Sequence, residues 1–131
     1  MKLDGVITRF ELLGLGDSQV RQVSVRPKDA ECDLEVDCAV VLPDGAANIF
    51  SPDAVALEPA VLCFSGVRSL SFTPAGFELN ATIVGSKAVL TAAGDAIEFQ
   101  FQLTGGLTQD GFLVTLRITA SGFDLRHRSE L

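Results

Sequence analysis

The sequence predicts an all-β fold, an antiparallel β-sandwich or flattened barrel of about eight to ten short strands. Three observations predict it. Apolar residues recur at every second position through many short runs, turn signals separate those runs, and no segment holds a helical period for more than a few turns. In Ile97-Glu98-Phe99-Gln100-Phe101-Gln102-Leu103 the apolar and polar residues alternate strictly, and Phe112, Val114, Leu116, Ile118 and Ala120 share one parity. Successive strand side chains point to opposite faces, so each run has one buried and one wet face. The link between them carries Gly105, Gly106 and Asp110-Gly111, which suits a hairpin turn.

The remaining elements follow in order. Val6 to Leu13 fits a strand through Val6, Thr8, Phe10 and Leu12, and a short helix through Val6, Phe10 and Leu13. Its β-branched residues and nearby glycines favour the strand. Gly14-Leu15-Gly16-Asp17 is a turn. Val20 to Val25 alternates with Val23 and Val25 as the expected buried pair, and Pro27 ends it or marks an edge. Leu34 to Leu42 reads as one strand with Leu34, Val36, Cys38 and Val40 on one face, closed by Pro43-Asp44-Gly45. Ala46 to Glu58, which contains Pro52, reads as a long loop with room for one helical turn. Ala60 to Phe64 is an apolar strand, Ser65-Gly66 a bend, and Leu70 and Phe72 continue in the next strand up to the turn Thr73-Pro74-Ala75-Gly76. Phe77, Leu79, Ala81 and Ile83 form an alternating face ended by Gly85, and Ala88 to Thr91 is a short strand before a turn at Gly94-Asp95. Ser121-Gly122 shifts the phase, as a bulge does, and Phe123 and Leu125 resume the buried face.

At 131 residues the chain fits a single domain, residues 1–131. A chain of this length hides roughly two thirds of its unfolded surface and needs no metal or disulfide staple. No apolar run approaches the ~20 residues that cross a bilayer. Met1-Lys2-Leu3-Asp4-Gly5 places an acid where a signal peptide carries its apolar stretch, so the expected location is the cytoplasm. The three cysteines, Cys32, Cys38 and Cys63, cannot all pair within the chain. Cys32 and Cys38 in one extended run would lie about 20 Å apart, beyond disulfide reach, and read as reduced thiols acting as small apolar residues. The chain has one histidine and no clustered ligand spacing, so neither a metal nor another cofactor is expected. A net charge of −7 and a pI near 4.5 disfavour nucleic acid and anionic membrane as partners. The chain has no Trp or Tyr, which disfavours stacking platforms for sugars or bases.

The sharpest local feature is Asp29-Ala30-Glu31-Cys32-Asp33-Leu34-Glu35-Val36-Asp37, with five carboxylates at period two. Fully extended, the run would present all of them on one face at about 6.6 Å spacing. Three readings compete: a solvated outer face, as on an edge strand guarded by charge; pairing with basic residues of neighbouring strands, Arg21 and Arg26 early in the chain or Arg126 and Arg128 late in it; and a contact face for a basic partner protein. Calcium needs oxygens converging on a point, and a flat file of carboxylates diverges.

Leu15-Gly16-Asp17-Ser18 and Asp124-Leu125-Arg126-His127 resemble the nucleophile and Asp-x-x-His blocks of the GDS-type (SGNH) esterases. The resemblance implies a Ser18/His127/Asp124 triad on a doubly wound α/β fold. The family's Gly-x-Asn-Asp block has no counterpart, and the intervening chain is strand after strand, so no catalytic residue is assigned.

Leu62-Cys63-Phe64-Ser65-Gly66-Val67-Arg68-Ser69-Leu70-Ser71-Phe72 has the rhythm of an apolar strand ending in Phe, then Ser/Gly-Val, then Leu-x-Phe. In this the stretch from Leu34 to Leu125 resembles a loose class of small bacterial all-β domains, some of which look like immunity proteins of toxin systems. The resemblance carries no catalytic residue. The resulting expectation is a non-enzymatic, acidic protein-binding domain, an immunity-type or inhibitor protein that covers a basic surface such as a nuclease site. The contact residues would be Asp29, Glu31, Asp33, Glu35 and Asp37. A self-associating accessory domain, using a strand edge or apolar face, is the alternative, and the esterase a remote third.

Overall fold

The computed structural model describes residues 3–42, 55–73, 81–105 and 113–127. The expected turns at Pro43-Asp44-Gly45 and Pro74-Ala75-Gly76, most of the loop from Ala46, the strand residues Phe77 and Leu79, the hairpin link from Gly106 to Gly111, Phe112 and Arg128 lie outside them.

The chain opens with a helix, α1 (Leu3–Glu11), where a strand was expected. Val6 and Phe10, one turn apart, are buried, and Leu3 and Ile7 are partly buried beside them. Val6 and Phe10 satisfy both periods, and the packing of Phe10 decides between them. Its ring meets Phe99, Phe101 and Phe123 edge-on at centroid distances of 5.0, 5.7 and 5.4 Å. Arg9 fixes the other side of this contact. Its guanidinium lies 4.6 Å from the centre of the Phe123 ring and donates a hydrogen bond to the Phe123 carbonyl. Asp4 in the first turn and Arg9 in the last complement the helix dipole.

Eleven strands follow among the described residues: β1 (Leu13–Gly14), β2 (Val20–Arg26), β3 (Glu31–Val36), β4 (Ala39–Val41), β5 (Val55–Leu57), β6 (Ala60–Ser65), β7 (Ser69–Thr73), β8 (Ala81–Leu90), β9 (Ile97–Gly105), β10 (Val114–Ala120) and β11 (Gly122–His127). They form an antiparallel sheet of order β11-β6-β3-β2, a second of order β7-β10-β9-β8, and a small third of order β1-β4-β5. The sheets pack together without closing into a barrel, as an all-β sandwich. No described helix is long and apolar enough to cross a membrane.

The two four-stranded sheets share a bent ribbon. β6 leaves the first sheet and continues as β7 in the second, while β10 leaves the second and continues as β11 in the first. One bend falls at Ser65-Gly66, where the sequence reads as a bend. The other falls at Ser121-Gly122, where a bulge was expected and the chain instead crosses from one sheet to the other. Gly66 takes φ +62°, and a Cβ there would collide with the Ser121 side chain. Ser121 N–H donates to Ser65 O at 2.9 Å and Arg68 N–H to Thr119 O at 2.8 Å, so the ribbon stays paired through the corner. At the opposite side, backbone bonds from Asp17 N–H to Ile83 O (2.9 Å) and from Ile83 N–H to Ser18 O (2.8 Å) join the lead-in of β2 to β8. Between the sheets, Phe64 and Phe99 meet at 4.9 Å, so five phenylalanines (Phe10, Phe64, Phe99, Phe101 and Phe123) form one aromatic cluster.

Four strand readings need correction. Val55–Leu57, expected within the long loop from Ala46 to Glu58, forms β5 and pairs with β4. Gly85 does not end a strand: the register slips between Ile83 and Gly85, and β8 runs on to Leu90. The expected single strand Leu34–Leu42 is broken at Asp37-Cys38. There the Asp37 N–H donates to Gln19 O (3.0 Å) and the Cys38 N–H to the Ser18 hydroxyl oxygen (3.0 Å), so the lead-in of β2 takes the backbone donors and Ala39 assumes the buried parity. Val25 shares a row with Cys32 on the core side, yet it is 50% exposed, because β2 is a sheet edge. Val20, before a register slip, is buried in its place.

Candidate acidic face

β3 carries the centre of the carboxylate run. Cys32, Leu34 and Val36 are buried, and Glu31, Asp33 and Glu35 between them point outward, partly exposed. Asp29 falls in a short 3-10 turn (Pro27–Asp29), and Ala30 takes a left-handed φ of +53°, so the strict alternation begins only at Glu31. Asp37 lies in the break after β3 and is bonded by Arg21. The structure therefore brings three of the five predicted residues onto one strand face and sets the other two at its ends.

The edge-strand reading is overturned. β3 is interior, paired with β2 on one side and β6 on the other. Charges on an interior strand do not guard an edge, and their neighbours explain them. Across the face, Asp33 lies in a row with Ser24 of β2, Cys63 of β6 and Asp124 of β11. Glu35 shares a row with Gln22, Val61 and Arg126, and Glu31 with Arg26, Ser65 and Gly122. Val61 is buried, so the charged face has an apolar floor at that point.

The pairing reading is the one the contacts bear out, through the early arginines. Arg26 Nη1 and Nη2 donate to the two carboxylate oxygens of Asp33 at 2.9 and 3.0 Å, and its Nε donates to Glu31 at 3.3 Å. Hydrogen bonding to Asp33 and its charge hold the Arg26 guanidinium more firmly protonated than usual. On the far strand Arg126 Nε donates to Asp124 at 3.0 Å, and this bond raises the arginine's pKa, with the nearby Asp33 adding a smaller push. The Arg26–Asp33 pair joins β2 to β3, contributes roughly 0.2–1 kcal/mol and helps set register, whereas Arg126 and Asp124 share β11 and only orient each other.

Cys63 sits in the middle of this face, partly buried. Desolvation, then the Asp33 charge, pushes its thiol up to about 11. Cys32, on the core side, is pushed up to about 11 mainly by burial, and Cys38 is raised by desolvation and then by Glu58. All three are free thiols. Among the described residues no three His, Cys, Asp or Glu side chains converge as a metal site.

The esterase-like residues have other tasks. Ser18 is 5% exposed and its oxygen accepts the Cys38 N–H. His127 Nε2 lies 2.9 Å from the backbone oxygen of Glu58. Asp124 accepts from the Leu125 N–H and from Arg126, both at 3.0 Å. The antiparallel sandwich also departs from the doubly wound parallel sheet those blocks imply.

Sequence reasoning missed that Cys63 and Asp124 join the acidic row. Only strand register could have shown it, because they lie 30 and 91 positions beyond Asp33. No family model matches the chain, and no curated protein matches it either.

Proposed function

We propose that the chain is a non-enzymatic protein-binding domain, acting in the cytoplasm as an immunity-type or inhibitor protein for a basic partner. The outer face of the β11-β6-β3-β2 sheet is its contact surface. One observation carries the reading. Glu31, Asp33 and Glu35 stand partly exposed in file on an interior strand, with Asp124 in the same row as Asp33. Interior strands are held on both sides, so these carboxylates are presented in fixed positions. A net charge of −7 adds long-range attraction for a basic surface and speeds encounter. Arg26 and Arg126 leave this face acidic while orienting the carboxylates they bond.

The test is recovery of the tagged chain from the cells that make it, with identification of what accompanies it. Affinity is then measured for the purified pair in wild type and in Glu31→Lys/Glu35→Lys. The expected result is a basic protein whose Kd weakens at least tenfold in the variant and several-fold between 50 and 200 mM salt, as roughly expected for charge-steered association. A partner bound equally well by the variant, or a homodimer in sedimentation with no other protein attached, overturns the proposal.

A further inference from the structure

We draw no further inference here: the strongest candidate, the edge of the second sheet along Ser69–Thr73, a strand with no charged residue and with Leu70 and Phe72 only partly buried, has nothing among the described residues to show what covers it.

Discussion

Arg26 closes a two-pronged ion pair on Asp33 from the neighbouring strand, both prongs at 2.9–3.0 Å, and the same guanidinium reaches Glu31. The feature that looked in sequence like a free row of negative charge is thus partly answered from within the sheet. Replacing Arg26 by Ala should lower stability by roughly 0.5–1 kcal/mol. A double-mutant cycle of Arg26→Ala with Asp33→Asn should return a coupling of that size at low salt, shrinking as salt is added. Zero coupling at low salt would mean that the pair contributes nothing to the fold.

Phe10 ties the helix to both sheets, and its loss leaves a cavity among three other rings. Phe10→Ala should destabilise by about 3–5 kcal/mol in denaturant unfolding. Arg9→Ala, which removes the cation over Phe123 and one hydrogen bond, should cause a loss of only about 1 kcal/mol. If the two substitutions had equal effects, the ring cluster would not be what holds the helix.

Gly66 and Gly94 both have positive φ, +62° and +72°, but only Gly66 faces an obstruction. Gly94→Ala should cost about 1 kcal/mol from the left-handed backbone alone. Gly66→Ala should cost about 2 kcal/mol or more, because the new methyl meets the Ser121 side chain. Adding Ser121→Gly to Gly66→Ala should recover the steric part and leave the backbone part, a difference measurable by thermal or chemical melting. No recovery would place the strain elsewhere in the corner.

The thiols give a pH dependence of known sign. Desolvation by burial pushes the Cys32 and Cys63 thiols up to about 11 in the folded chain, from an ordinary value of 9.0. Between those values the unfolded chain has released protons that the folded chain still binds. Their contribution to stability is therefore complete below pH 9 and is lost as pH rises from 9 to 11. The chain has no tyrosine to titrate in the same window. Unfolding free energies measured from pH 8 to 11 should fall, and the slope should flatten in Cys32→Ala. An unchanged slope in that variant would show that the buried thiol is not its source.

What was legible in the sequence was whatever depended on parity along one strand. Phe99, Phe101, Leu116 and Ile118 alternate cleanly and are buried as read, and the bends at Ser65-Gly66 and Ser121-Gly122 stand where small residues interrupt the pattern. Several readings that depended on neighbours failed, although the carboxylates do pair with Arg21 and Arg26. Val6 and Phe10 suit a strand and a helix equally until the rings around Phe10 are known. A dense carboxylate run looks like an edge until Arg26 and Cys63 are found on either side of it. Val23 and Val25 share a parity, but only the inner end of an edge strand is covered by the opposing sheet. The carboxylates of the proposed contact face could be named from the sequence, whereas their arrangement in rows required strand register.

The ribbon that turns at Gly66 and Ser121 should make the two sheets melt together. Each four-stranded sheet holds one half of the β6–β7 and β10–β11 ribbon, so peeling one sheet away would strip paired strands from the other. Amide protons of Leu62 in one sheet and Phe99 in the other should therefore exchange with solvent through the same opening event, with matching protection.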